Sequence, residues 1–418
     1  MFDLLTYSRQ HRICASGRGM AESRPMKNTR PVAGKNVILT VALLVALIAG
    51  QVSAVTPTNH DFEFVNVADT SQGFFTISQF PAINDAGEVA FVATGADFGQ
   101  GVFKWTGGAL TPIASSASGV LSSFGNAIVI NTYGIVGFDA NVNTGGRSIF
   151  TSDGVSTKII VNTKDQGLVG SFLGSPSINA SGTVAFSATQ NGFRSRAIFI
   201  GDGGALTTVA DTANSNFIAF GNTAINASGK VTFLGFPADG SVGVFVVTPK
   251  AARADVNERT FAKPESLIDI VDTNNPDFSF FGDPVINNAG AVADVAFLSN
   301  NGLEIFTGKG RGITARTDPA SQVFTDSEHP SLNNSGAVAF FARKADGGSG
   351  IFVERTGGAS PVALIQTGDT LFGSTVTALD LGRFALNDRL QLAFQYTLMD
   401  GRSGVAIASM GREGEGEN

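Results

Sequence analysis

A short pattern of apolar and polar positions recurs seven times along the chain. In its first copy, residues 81–91, an apolar stretch ends at Ile83, a polar stretch lies between Asn84 and Gly87, and apolar residues resume at Val89. The Asn positions of successive copies lie 47, 48, 47, 61, 46 and 54 residues apart. A period near 50 residues is typical of repeat architectures.

Each copy predicts a β-hairpin whose turn begins at Asn and ends at Gly. A type I turn favours Asn at its first position and Gly at its fourth, where φ is often positive before the next strand. A residue with a Cβ would cost roughly 1–2 kcal/mol there. The seventh copy has Leu390 at that place, so we expect a different turn geometry in it. The predicted turn residues are Asn84, Gly87, Asn131, Gly134, Asn179, Gly182, Asn226, Gly229, Asn287, Gly290, Asn333, Gly336 and Asn387.

Alternation after each turn predicts a second strand. In the first copy the large residues Val89 and Phe91 flank a small one, and the other copies follow the same rule. Period-two alternation is typical of strands, and faces of large and small residues suit sheets stacked about 10 Å apart. In the fifth copy we align Val295 and Phe297 with this pair, which leaves extra residues at 291–294 and predicts a bulge.

The order of the remaining strands predicts a closed ring. A third strand at 101–105 and a fourth at 110–114 complete the first repeat. Residues 60–70 resemble an isolated fourth strand, whereas the last repeat stops after a third strand at 404–406. These two ends can form one sheet together. The sequence therefore predicts an all-β fold, a seven-bladed β-propeller of four-stranded antiparallel blades closed by the N-terminal strand, in which only short edges are exposed. An open β-solenoid, which would need capping repeats, is the alternative.

The N-terminal segment predicts export. Basic residues precede an apolar run at 37–49, which is too short for a membrane span, and a small-x-small site follows at 52–54. We expect a secreted or periplasmic protein. We interpret 1–25 as a misassigned upstream extension, 26–54 as a signal peptide, 55–410 as a single propeller domain and 411–418 as a disordered polar tail.

The net charge of the chain limits the classes of partner that it can bind. Residues 1–54 hold seven Lys or Arg and two Asp or Glu, so the remaining chain carries 21 basic and 33 acidic residues, a net charge of −12. This balance disfavours nucleic acid as a partner.

The content of 51 Gly in 418 residues exceeds the usual share of about 7% and is typical of a turn-rich chain. We expect a monomer with no membrane span after cleavage.

The seven Asn-x-x-Gly-x-Val-Ala-Phe copies and the export segment resemble a secreted bacterial tandem-repeat family. It is the "choice-of-anchor" family named for its NxxGxxAF motif, whose members differ in their surface anchor. Residues 102–110 are also similar to the related extracellular HAF-type repeats. The resemblance covers residues 60–410 and implies the architecture but no defined activity. Residues 411–418 contain neither an apolar anchor helix nor a sorting motif, which favours release or periplasmic residence.

One face of the predicted propeller collects polar residues. We call it the connector face, because it carries the connectors between blades and the loops between second and third strands. Its functional interpretation is a polar binding face, where Asp and carbonyl oxygens would suit calcium. In the alternative, each Asp forms a local side-chain turn and each Arg pairs with an Asp between blades. The candidate residues are Asp69, Asp165, Asp211, Asp272, Asp318, Asp369, Arg147, Arg194, Arg196, Arg343 and Arg402.

Histidine and cysteine counts disfavour the usual catalytic sites. Removal of residues 1–54 takes away Cys14, the one cysteine, and leaves His60 and His329 as the two histidines. A three-His zinc site is then impossible, and a His-assisted Ser nucleophile is disfavoured. We interpret His329, just before Pro330, as a connector residue.

The sequence therefore predicts a secreted, non-enzymatic binding or scaffold module without a cofactor. Its expected partner is an extracellular glycan or protein, recognised through one propeller face. The alternative is an extracellular polysaccharide hydrolase or lyase that uses acids of the connector face. Carboxylates about 5–10 Å apart in a deep pocket would favour the enzyme, and Asp residues engaged in turns would favour the binder.

Overall fold

The computed structural model describes residues 62–78, 80–97, 99–164, 171–190, 194–249, 266–318, 323–355 and 360–410. The predicted upstream extension, signal peptide and polar tail, together with Asp165, lie outside these residues. Within them, the strands form seven antiparallel sheets with four main strands each, which are the blades of a propeller. The predicted fold class is confirmed.

The first strand of each blade lies nearest the central axis. Two 3₁₀ helices, Thr70–Gln72 and Ser116–Ser118, lie in connectors, and a two-residue strand, Thr370–Leu371, pairs with the start of blade 7. In order from first to fourth, the strands are Phe74–Ile77 with Ala82–Ile83, Val89–Gly95, Gly99–Thr106 and Ala109–Ser115 in blade 1; Leu121–Ile130, Val136–Val142, Arg147–Ser152 and Thr157–Asn162 in blade 2; Ser177–Ile178, Val184–Gln190, Ser195–Gly201 and Thr207–Asp211 in blade 3; Phe217–Ile225, Val231–Pro237, Gly243–Thr248 and Ser266–Asp272 in blade 4; Phe278–Phe281 with Val285–Ile286, Val292–Leu298, Leu303–Gly308 and Ile313–Ala315 in blade 5; Phe324–Leu332, Val338–Lys344, Ser349–Glu354 and Val362–Gln366 in blade 6; Ser374–Leu386, Gln391–Leu398, Ser403–Met410 and Phe62–Asp69 in blade 7.

The N-terminal strand closes the ring, as the sequence predicts. Phe62–Asp69 pairs antiparallel with Ser403–Met410 and becomes the fourth strand of blade 7. Its register runs from Phe62 opposite Met410 to Asp69 opposite Gly404. The two ends of the propeller are therefore joined within one sheet by main-chain hydrogen bonds.

Pairs of stacked phenylalanines form the core of five blades. A fully buried Phe of the second strand lies against a Phe of the third strand, with ring centroids 5.4–5.8 Å apart. Burial of each such side chain contributes roughly 1.5–3 kcal/mol. The pairs are Phe91 with Phe103, Phe138 with Phe150, Phe186 with Phe199, Phe233 with Phe245, and Phe340 with Phe352.

Blade 5 departs from this core, and the bulge predicted at residues 291–294 is wrong. Its second strand pairs with the third without a register shift, and Ile286 lies opposite Val292. Val292 therefore occupies the position that we assigned to Val295. Two residues later, Asp294 occupies the position of the buried Phe and lies opposite Phe306. The apolar residues at 295 and 297 misled the alignment because a carboxyl group in a blade core is unfavourable unless it is hydrogen-bonded.

The seventh turn keeps the geometry of the others, contrary to the prediction from Leu390. The backbone N–H of Leu390 donates to the carbonyl of Asn387 at 3.2 Å, as the turn Gly residues do in the other blades. Leu390 has a φ of 59°, in the left-handed region. The turn is held by the hydrogen bonds of Asn387, so Leu390 accepts a backbone strain of roughly 1–2 kcal/mol.

Candidate functional site

The seven turn asparagines form a closed ring of hydrogen bonds around the axis. In each blade the Asn Nδ2 donates to the backbone carbonyl of the Asn in the next blade, at 2.9–3.3 Å. The Oδ1 of each Asn accepts from the backbone N–H four residues later. The final bond runs from Asn387 to Asn84 at 2.9 Å. These residues therefore hold neighbouring blades together as well as forming turns.

A cavity of about 370 Å³ lies on the axis, lined by residues that precede the Asn in each first strand. Each blade contributes the residue four positions before its Asn, and no two of the seven are alike. We call this set the variable ring. It contrasts with the Asn itself and with the position directly before the Asn, where Ile or Leu stands in every blade. The variable ring consists of Phe80, Ala127, Ser175, Asn222, Asp283, His329 and Arg383.

Two side chains of blade 7, Arg383 and Phe384, extend across the central channel. The pairing of its first and second strands shifts between Leu381 and Leu386, and the residues between them bulge out. The Nη2 of Arg383 donates to the carbonyls of Thr223 and Pro284, in blades 4 and 5, at 3.2 and 2.5 Å. Phe384 packs against the cores between blades 1 and 2, 4 and 5, and 5 and 6. Arg383 and Phe384 therefore fill part of the central channel.

Arg383 is a buried cation with incomplete hydrogen bonding. Its side chain is 7% exposed, and its Nε and Nη1 have no hydrogen-bond partner. Burial lowers the pKa of the guanidinium, and the charges of Asp283 and Asp294 oppose this effect. Asp294 is 0% exposed, and its Oδ2 has no hydrogen-bond partner, whereas its Oδ1 accepts from the backbone N–H of Val295 at 2.7 Å. Burial raises the pKa of Asp294 well above its usual value, which favours the neutral acid.

His329 lies on the cavity, and its interpretation as a connector residue is wrong. It belongs to the first strand of blade 6, and its Nδ1 lies 4.0 Å from Oδ2 of Asp283. Its ring meets the edge of the Phe80 ring at 4.9 Å between centroids. Burial lowers the pKa of His329, although the charge of Asp283 acts in the opposite direction. His329 and Phe80 have φ values of 53° and 55°, and such strain in non-glycine residues is concentrated at functional sites.

One candidate residue of the connector face reaches the cavity. Arg147 forms an ion pair with Asp139, and both side chains line the cavity. Gly125 leaves space for this pair, because a Cβ on it would clash with the Asp139 carboxylate and lie 2.9 Å from Nη2 of Arg147. Burial raises the pKa of Asp139, and the guanidinium of Arg147 acts against this effect.

Three of the predicted acids are engaged in local turns. Asp69 Oδ1 accepts from the backbone N–H of Ser71 at 2.8 Å. Oδ1 of Asp211 accepts from the backbone N–H of Asn214 at 2.7 Å, and Oδ1 of Asp272 accepts from the backbone N–H of Asn274 at 2.9 Å. This is the geometry of the alternative in which each Asp forms a side-chain turn, and these groups do not converge on one site.

The other candidates form local contacts or are exposed. Asp369 accepts from the backbone N–H of Gln366 at 2.8 Å. Arg402 lies 2.7 Å from Asp400 and 4.0 Å from Asp69, and Arg343 lies 3.5 Å from Asp326. Of the ten candidates within the described part of the chain, Arg147 alone lines the cavity. Asp318, Arg194 and Arg196 are exposed.

Clustered metal ligands and membrane-spanning helices are both absent from the residues that the structure describes. No group of three or more His, Cys, Asp or Glu side chains among them is placed to hold a metal ion. None of their helices has the length and apolar character needed to cross a membrane.

Solved structures with this fold include enzymes of two classes. The chain is similar to an oligogalacturonate lyase from Vibrio parahaemolyticus, with 12% identity and a TM-score of 0.53 over 83% of this chain and 97% of the other. An oligogalacturonate lyase in complex with manganese is 8% identical, with a TM-score of 0.53 over 81% of this chain and 91% of the other. Prolyl oligopeptidase B from Galerina marginata is 10% identical, with a TM-score of 0.51 over 78% of this chain. The match spans 48% of that enzyme, about half its length. Identities this low show the fold alone. No protein-family model and no curated protein sequence matches the chain.

Proposed function

We propose that this protein is a secreted, non-enzymatic binding module of the NxxGxxAF type whose ligand enters the central cavity. The variable ring carries the proposal. Turn geometry and packing keep an Asn, preceded by Ile or Leu, in every blade, but the variable ring holds seven different residues around one cavity. The volume of the cavity, about 370 Å³, lies within the usual range of about 300–1,000 Å³ for ligand pockets.

The cavity lining favours a glycan over a protein surface. Phe80, Phe172 and Phe384 provide aromatic surface, and Asn222 and Arg147 provide hydrogen-bonding groups. Pockets of this kind combine apolar contact area with a few polar groups that fix the ligand's orientation. A sugar ring suits this lining because it has apolar faces and hydroxyl groups along its edge. A cavity of this volume is too small to receive more than one or two side chains of a protein.

A polysaccharide-cleaving enzyme is the second candidate, and His329 beside Asp283 is the observation that favours it. A neutral imidazole within reach of a substrate can accept a proton as a general base. The carboxylate of Asp283 lies on the Nδ1 side of the ring, where it would orient the imidazole. The binder remains the better supported candidate because the connector acids Asp69, Asp211 and Asp272 are engaged in turns.

A panel of bacterial, plant and algal polysaccharides tests the proposal. The purified protein is incubated with each, both with added calcium and with a chelator, because calcium was one interpretation of the acids on the connector face. We expect retention of the protein on at least one polysaccharide without new reducing or unsaturated ends. Release of such ends would contradict the binder and support the enzyme. If no polysaccharide retains the protein and none releases new ends, both candidates are contradicted.

A further inference from the structure

We propose that the ligand of the central cavity carries a carboxylate group and that Arg383 binds this group. This inference rests on the proposed function and adds the charge class of the ligand. A sugar acid, such as a uronic acid residue of a polysaccharide, has the required chemistry.

Arg383 differs from the other basic residues of the cavity in having no carboxylate of the described residues within ion-pair distance, although the charges of Asp283 and Asp294 act on it. Arg147 pairs with Asp139, and His329 lies 4.0 Å from Asp283. Within the described part of the chain, no carboxylate oxygen lies within ion-pair distance of the Arg383 guanidinium. A buried charge without a paired, hydrogen-bonded counter-ion is strongly unfavourable. An anionic group from a ligand would complete this site.

Asp294 attracts Arg383 but does not satisfy its free N–H groups. Its Oδ1 is occupied by the backbone N–H of Val295, and its Oδ2 makes no hydrogen bond. Burial favours its neutral form, which weakens it as a counter-ion. An aspartate at a position where the five stacked blades have Phe gives up core stability, and its electrostatic effect falls on Arg383.

The guanidinium is held in place before any ligand arrives. Two hydrogen bonds fix Nη2 to carbonyls of blades 4 and 5, and the charged group lies 5.4 Å from the centroid of the Phe384 ring. Nε and Nη1 remain buried without hydrogen-bond partners, in a residue that lines the cavity. The planar donor set of arginine matches the oxygens of a carboxylate. A preorganised group loses little conformational freedom on binding, which favours affinity.

Matched pairs of small sugars test the proposal. The methyl glycosides of glucuronic and galacturonic acid are compared with those of glucose and galactose by titration calorimetry on the whole protein. Each pair differs at one carbon, where a carboxylate replaces a hydroxymethyl group. A hydrogen bond to a charged group predicts that the uronides bind about 10- to 100-fold more tightly.

Three variants assign the preference to Arg383. Arg383→Gln should abolish it, Arg383→Lys should retain part of it, and Arg196→Gln, which removes an exposed charge of the connector face, should leave it unchanged. Equal binding within the pairs, absence of uronide binding, or full preference in Arg383→Gln would overturn the inference. If Arg383→Gln does not fold, the wild-type comparison decides. The proposed function fails only if the neutral glycosides and the polysaccharide panel give no binding either.

Discussion

Breaking one bond of the Asn ring should weaken the whole propeller. Asn226 is the clearest site, since its Nδ2 donates to the carbonyl of Asn287 at 3.0 Å and its Oδ1 accepts from the backbone N–H groups of Ser228 and Lys230 at 3.1 and 2.9 Å. The hydroxyl of Ser228 adds a fourth bond at 2.9 Å. At about 1 kcal/mol for each bond, Asn226→Ala should lower the free energy of unfolding by about 3–5 kcal/mol.

Asn226→Asp separates the bond between blades from the turn. The aspartate keeps an oxygen for the turn N–H groups but loses the donor, and it places a second oxygen close to the carbonyl of Asn287. We expect a loss of about 1–3 kcal/mol from the inter-blade contact alone. Asn300→Ala is the control, because Asn300 is exposed and its Oδ1 accepts one local bond, from Gly302 at 2.9 Å. This variant should lose about 0.5–1 kcal/mol.

Urea unfolding measures all three variants, and comparison at an unchanged m-value gives the difference in stability. The expected order of destabilisation is Asn226→Ala, then Asn226→Asp, then Asn300→Ala. An Asn226→Asp variant as stable as the wild-type protein would refute the reasoning, because the bond from blade to blade would then contribute nothing to the closed ring.

Two further predictions concern the first strand of blade 7. Gly382→Ala should destabilise the protein by about 1–3 kcal/mol, because its Cβ would lie 2.7 Å from the carbonyl of Pro81; Gly312→Ala, with no atom within 4 Å, should be neutral in the same urea assay. Burial raises the pKa of Asp380 to about 6, so the native state holds a proton that the unfolded chain releases above pH 3.8. The stability from this half-buried group should therefore be lost as pH rises from about 4 to 6, and Asp380→Asn should reduce that loss by about 1 kcal/mol between pH 4 and pH 7. Equal pH dependence in the wild type and the variant would contradict this assignment.

The repeated residues were sufficient to predict the fold, because each has a physical task that is the same in every blade. Asn84 and Gly87 shape a turn, and Phe91 fills a core between sheets. Ring closure also followed from the sequence, since residues 62–69 match a fourth strand that the last repeat lacks. What the repeat did not reveal is the bond from each Asn to the next blade, because that contact depends on the curvature of the assembled ring.

The candidate site was missed because it lies where the repeats differ. Comparison of the seven copies for common residues passes over the column that contains Asp283, His329 and Arg383, because no residue recurs in it. Pro330 made His329 resemble a connector residue. In the structure the first strand is the edge of its blade nearest the axis, and an edge strand tolerates proline because it has backbone positions without a partner strand.

Asp294 was missed for a different reason. It has the spacing of a core residue but the chemistry of a surface residue, so an alignment based on hydrophobicity moved the pattern by three positions. Its electrostatic effect falls on Arg383, which comes from another blade and lies 89 residues away in the sequence, so no local pattern indicates the pair.

The most direct test of a ligand site on the axis is to fill the cavity without removing any polar group. Ala127→Trp places a large side chain in the variable ring, and Ala117→Trp places the same side chain on the exposed connector between blades 1 and 2. Both are compared with the wild type for retention on the polysaccharide that binds best. We predict that Ala127→Trp loses retention and that Ala117→Trp keeps it. Loss in Ala117→Trp with full retention in Ala127→Trp would contradict the account and place the ligand on the connector face.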